Sequence, residues 1–273
     1  MAWRAISILL LVVLAGCVTA QQQNPSASSK STEDWLSSKD VPVWAATHVA
    51  DPAEAVIVIF SHGTSRPQNR SVCTARHNQP PETLVRAAAA VNASIFRLCS
   101  RATDGNVPGS YIQKRVAEIS ATLDEFLALG IRPENIFLAG KSAGGWASLM
   151  SAKEEGGKFN AGIYYAPSCC GRRSEINRFP IWRREIRPEQ VRQILTAAEI
   201  RALVIAYEDD AFNRPEELTF LTDAYPGGVS MVGYSCGKGH ATDMHDCRAE
   251  DTETVISGYL AERLGRAPPS AGS

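Results

Sequence analysis

The serine of Gly140-Lys141-Ser142-Ala143-Gly144 is the side chain best placed to do chemistry. The apolar run Ile136-Phe137-Leu138-Ala139 leads into it, and a helix-like run follows. In a Gly-x-Ser-x-Gly turn from strand to helix, the hydroxyl is presented on a strained backbone, and glycines stand where side chains would collide. The chemistry implied is attack on a carbonyl carbon. It requires a base to take the hydroxyl proton, an acid to orient that base, and N–H donors for the oxyanion. Gly140-Lys141-Ser142 also copies the end of a phosphate-binding loop. That motif needs a glycine five residues before Gly140, where this chain has Asn135, so a phosphate loop is excluded.

The expected base is His240, in Gly237-Lys238-Gly239-His240-Ala241. Imidazole titrates near neutral pH, and the flanking glycines allow close approach. His245, a turn away, competes with it; His48 and His77 are given no role. The acidic turn Glu208-Asp209-Asp210 follows a strand-like run and supplies the acid. One oxyanion donor should be the N–H of Ala143, directly after the nucleophile. The other should be Thr64, in Ser61-His62-Gly63-Thr64 after another strand-like run, with His62 and Gly63 supporting that loop. Cys236, His240, His245 and Cys247 also have the donor types of a zinc site. Export favours a Cys236–Cys247 disulfide instead. No metal or organic cofactor is needed for acyl transfer from a serine.

These residues must be positioned by an alternating pattern. Strand candidates cover 55–60, 93–98, 135–139, 161–165, 202–207 and 229–233. Most are continuous apolar runs, as strands buried on both faces of a parallel sheet should be. Helix-like runs cover 82–91, 111–129, 144–154, 188–198, 214–225 and about 251–264. In the second of these, Ile112, Val116, Ile119, Leu123, Phe126 and Leu127 form one stripe, with Gly130 ending the helix. The alternation implies a doubly wound α/β sheet, which binds ligands beyond the carboxyl ends of its strands. Each of the four motifs falls at such an end.

The 273 residues and net charge of -1 suit one α/β domain and give no electrostatic footprint for nucleic acid. The N-terminus reads as an export signal, with Arg4 before an apolar stretch over 6–14 that is too short to span a membrane. Leu14-Ala15-Gly16-Cys17 resembles the lipobox of bacterial lipoproteins. That resemblance implies a signal peptide over 1–16 and a lipidated Cys17. Val18 next to it implies the outer membrane, with the protein facing the periplasm. The alternative is an ordinary signal cut after a small residue such as Ala20, giving a soluble exported protein. Residues 17–33 read as a disordered tether, 34–265 as the catalytic domain and 266–273 as a disordered tail.

The order His-Gly loop, serine, aspartate, histidine resembles that of the α/β-hydrolase superfamily over nearly all of the domain. Within it, the chain is most similar to small dienelactone-hydrolase-like serine esterases. The matching residues are Ser61-His62-Gly63-Thr64, Gly140-Lys141-Ser142-Ala143-Gly144-Gly145, Asp210 and Gly239-His240. The resemblance implies a mostly parallel central sheet with helices on both faces. It favours Asp210 as the acid, three residues beyond Tyr207, with Asp209 as the alternative. It also makes the strands before Cys73 and Cys99 neighbours, which implies a Cys73–Cys99 bridge. Cys169 and Cys170 either pair with each other or stay reduced. Dienelactone hydrolases themselves use a cysteine nucleophile, so their substrate is not carried over. The expected activity is hydrolysis of a small carboxylic ester through an acyl-enzyme, with no nucleic acid and with the membrane met only through the lipid anchor. Alternatives are a peptidase or acyltransferase on the same triad, or a non-catalytic binding protein. In the linking segment 167–201, Phe179, Ile181 and Trp182 could line a pocket or simply pack the segment onto the domain, and Arg172, Arg173, Arg183 and Arg184 could either meet an anion or form a solvated surface; Trp146 reads as core or pocket wall.

Overall fold

Runs of β-branched and aromatic residues set the centre of the molecule. Val-Ile-Val-Ile-Phe-Ser forms β1 (Val56–Ser61), and every residue of it is buried. Further strands are β2 (Ala93–Leu98), β3 (Ile136–Lys141), β4 (Ala161–Tyr165), β5 (Ala202–Tyr207) and β6 (Val229–Tyr234). This computed structural model describes residues 35–64, 73–245 and 247–268. The expected signal peptide, Cys17, the tether up to residue 34 and the end of the expected tail lie outside the described residues. Arg266, the first residue of that tail, is held to the domain: its guanidinium donates to the Val91 carbonyl at 2.8 Å.

The strands order as β2-β1-β3-β4-β5-β6, and all five pairings are parallel. Parallel neighbours need crossovers, and helices provide them. They are α2 (Glu82–Ala90), α3 (Ser110–Ala128), α4 (Ala143–Glu155), α5 (Arg187–Ile194) and α6 (Thr219–Ala224), with α1 (Val41–His48) before the sheet and α7 (Ala249–Arg263) after it. Alternate strand residues feed two cores. Ile57, Ile59, Leu138 and Val204 pack with α1, α3, α4 and α5 on one face. Val58, Phe60, Phe137, Ala139 and Ile205 pack with α2 and α7 on the other. The helix α1 has no counterpart in the periodicity reading. Its Trp44 joins Phe96 and Phe126 in an edge-to-face cluster with centroids 5.3–5.8 Å apart.

The chain leaves β1 toward β2, then returns to place β3 on the other side of β1. The winding direction therefore reverses between β1 and β3, the position where open α/β sheets bind ligands. Register puts Ser61 opposite Gly140 across this switch.

Candidate active site

At the end of β3 the backbone turns abruptly into α4. Ser142 adopts φ 53° and ψ −122°, a left-handed conformation that side-chain-bearing residues rarely take. The glycines explain how this is possible. A Cβ on Gly140 would lie 2.6 Å from the Gly144 carbonyl carbon, and one on Gly144 would overlap the Ser61 carbonyl oxygen. The turn is pinned by the Ser142 N–H, which donates to the Tyr165 carbonyl of β4 at 2.9 Å.

The next loops along the sheet bring the other groups. Asp210 is almost wholly buried after β5, and its Oδ2 accepts from His240 Nδ1 at 2.7 Å. Its other oxygen accepts the Phe212 N–H at 2.6 Å, which fixes the carboxylate plane. Asp209 does not bond the imidazole; it accepts the Gly239 N–H at 2.7 Å and so shapes the turn that carries His240. The Phe212 ring lies 4.5 Å from the imidazole. His240 Nε2 has no hydrogen-bond partner among the described residues.

Ser142 and His240 line one cleft of about 320 Å³ together with Thr64, Ala143, Ser168 and Phe212. The Ser142 hydroxyl is hydrogen-bonded to the Ser168 hydroxyl at 3.2 Å. Ser142 and His240 thus face the same cleft without a hydrogen bond to each other, and such contacts in apo sites often tighten only when a ligand binds. Ala143 opens α4, where the first-turn amides have no acceptor inside the helix. Thr64 ends the described part of the β1 loop.

That loop is held from behind. His62 is fully buried; its Nδ1 donates to the Gly63 carbonyl at 2.5 Å and its Nε2 accepts the Ser100 N–H at 3.0 Å. Burial first, then the nearby Arg115 cation, lowers its pKa from 6.5 to about 3, so the ring is neutral and structural. The buried guanidinium of Arg115, on α3, donates to the carbonyls of His62 at 2.5 Å and Gly63 at 3.2 Å. Periodicity alone passes over Arg115. The signal is a cation between Ile112 and Ile119 on a face that is otherwise apolar.

The loops after β1, β2, β4 and β6 carry disulfides. Cys73–Cys99 joins the β1 and β2 loops with Cα atoms 5.6 Å apart, and Cys236–Cys247 brackets the histidine turn at 6.1 Å. The neighbours Cys169 and Cys170 are joined to each other and border the cleft. Among the described residues, the one His/Cys/Asp/Glu group close enough to hold a metal is His62, Cys73 and Cys99, and its thiols are spent in the first disulfide.

No protein-family model matches the sequence, and no curated protein matches it significantly. Solved structures do resemble it. Est1E from Butyrivibrio proteoclasticus superposes with a TM-score of 0.56 over 80% of this chain and 92% of its own, at 15% identity. A monoacylglycerol lipase from Paleococcus ferrophilus gives 0.53 over 76% and 94%, at 13% identity. A puromycin hydrolase gives 0.52 over 79% of this chain but 35% of its own length, at 17% identity. These neighbours are α/β-hydrolases. The chain has the α/β-hydrolase fold.

Within this α/β-hydrolase fold, the structure places the residues whose roles the sequence left open. Phe179, Ile181 and Trp182 do not line the cleft: the first two are 44% and 39% exposed, and Trp182 packs against the core. Arg183 is not a solvated surface group. It is nearly buried, pairs with Glu217 and donates to the Phe212 carbonyl at 2.7 Å. With Arg187 and the buried Asn213, which donates to the Pro167 carbonyl at 3.0 Å, it braces the acid loop. Arg172 does border the cleft. Trp146 is core, its indole N–H bonded to Gln190 at 2.8 Å. His245 borders a separate small cavity with Tyr207 and Asp243, and His48 stacks on Trp44.

Proposed function

We propose that this protein is a serine hydrolase that cleaves small carboxylic esters through an acyl-enzyme. The observation that carries the reading is a buried Asp210 carboxylate bonded to a His240 that faces the same cleft as a serine on a strained, glycine-walled turn. A hydroxyl is a weak nucleophile until a base takes its proton. Asp210 holds the Nδ1–H tautomer of His240, which leaves Nε2 free to accept that proton from Ser142. The Ser142 Oγ then bonds to the ester carbonyl carbon. Negative charge moves to the carbonyl oxygen, where the N–H groups of Thr64 and Ala143 stabilise it. The imidazolium gives its proton to the departing alcohol. Water, deprotonated by the same ring, releases the acid and regenerates the serine. None of these steps calls for a cofactor.

The cleft volume lies at the small end of ligand sites, which supports short acyl and alcohol groups. Three disulfides support an oxidising compartment. Among the described residues no helix is long and apolar enough to cross a membrane. With the lipobox-like segment at Cys17, these support a lipid-anchored enzyme of the bacterial envelope, facing the periplasm from the outer membrane. Initial rates on p-nitrophenyl esters from acetate to octanoate, set against aminoacyl anilides, test the substrate class. Ester turnover falling with chain length is expected, with anilide turnover at least a hundredfold lower. Faster cleavage of anilides would make the protein a peptidase.

A further inference from the structure

Lys141 is the last residue of β3 and directly precedes the nucleophile, yet its ammonium points into the protein. Its Nζ lies 2.6 Å from Asp243 Oδ2, with side-chain exposures of 6% and 2%. Asp243 stands three residues after His240 in the same turn, Gly239–Met244. Its second oxygen has no partner among the described residues. Among the described residues, each charge has the other as its one ion-pair partner. Apolar residues of the same volume would fill such a site at no greater cost, so a retained buried pair calls for another role, of which fixing register is the best attested.

We propose that the Lys141–Asp243 pair is a positioning latch: it locks the strand carrying Ser142 to the turn carrying His240. The placement supports this directly. Covalently, 98 residues separate Ser142 from His240, and the latch closes that gap within one residue of the nucleophile and three of the base. Asp243 also borders a small cavity with Tyr165, Tyr207, Tyr234 and His245. Burial raises the Tyr165 and Tyr207 hydroxyl pKa values, and the Asp243 charge adds to it, so its field reaches beyond its own ion pair.

The catalytic consequence rests on the triad reading above. The experiment measures kcat and KM on p-nitrophenyl acetate together with urea unfolding of the intact, disulfide-bonded protein. Lys141→Met and Asp243→Asn each leave the other charge buried and unpaired, so each should lower the urea midpoint. The double variant Lys141→Met/Asp243→Asn removes both charges and keeps the test open if a single variant does not fold. It should unfold close to the wild-type midpoint yet lose about tenfold or more in kcat with KM little changed, because the base is no longer held in place. Full kcat in the double variant overturns the positioning claim. Ester turnover surviving in Ser142→Ala would instead refute the triad reading.

Discussion

Arg115 offers a sharp test of how the oxyanion loop is held. Its guanidinium donates to two consecutive carbonyls, His62 at 2.5 Å and Gly63 at 3.2 Å, in a fully dry environment. Arg115→Met keeps the apolar stem and removes both bonds. A hydrogen bond from a charged donor contributes about 1.5–3 kcal/mol, and each orphaned buried carbonyl costs about 1–3 kcal/mol. Against this, the variant no longer buries a cation, whose desolvation lowers the Arg115 pKa. The net expected loss is about 2–4 kcal/mol of stability, read as a shift of the urea midpoint at unchanged slope. The kinetic effect should be separable. The two carbonyls flank the approach to Thr64, so a slack loop misplaces one oxyanion donor. Loss of such a donor costs about 3 kcal/mol of barrier, roughly a hundredfold in kcat, with little change in KM. Arg115→Lys, which can satisfy at most one carbonyl well, should fall between. If Arg115→Met unfolds within about 0.5 kcal/mol of wild type and retains full kcat, the guanidinium does not hold the loop, and the supporting role assigned to it is wrong.

Other expectations follow from the same geometry. His62 is neutral in the fold with a pKa of about 3 against 6.5 when unfolded, so between these values the unfolded chain binds the extra proton and stability falls as pH falls. Relative to His62→Asn, wild type should lose about 1.4 kcal/mol per pH unit across that window, measured by urea unfolding at a series of pH values. Asp210→Asn should cut kcat by about 10³–10⁴, whereas Asp209→Asn, which loosens only the Gly239 contact, should cost about tenfold or less in the same assay. Gly144→Ala would drive a methyl group into the Ser61 carbonyl, and should give insoluble protein or a loss above about 3 kcal/mol by thermal denaturation.

The sheet was legible because buried parallel strands leave unbroken apolar runs: β4 and β5 begin and end where those runs do. Strand ends that carry polar or charged residues were harder. β3 continues through Gly140 to Lys141, because pairing with β4 and the ion pair to Asp243 carry a charged residue into the sheet. Asp210, which bonds His240, is preferred to Asp209 on family likeness rather than on residue chemistry. Asp209 and Asp210 are equivalent as a string, and only the direction of the turn after Tyr207 separates them. Supporting groups escaped notice for a physical reason. Arg115, Lys141, Ser168 and Asn213 act through contacts between residues distant in the chain, and a polar residue inside an apolar pattern does not name its partner. The segment 171–186 stayed open for the converse reason. Its aromatic and basic residues fit a ligand wall, packing or a solvated surface equally, while the structure uses Arg183 to brace the loop after β5 and leaves Phe179 facing solvent.

The central proposal is that Ser142 is an activated nucleophile. Its most direct test is covalent labelling by a fluorophosphonate, followed by peptide mapping of the modified site. One equivalent of label on Ser142, lost in Ser142→Ala and slowed at least a hundredfold in His240→Gln, is the expected result. Label on any other serine, or undiminished labelling of Ser142→Ala, would contradict it.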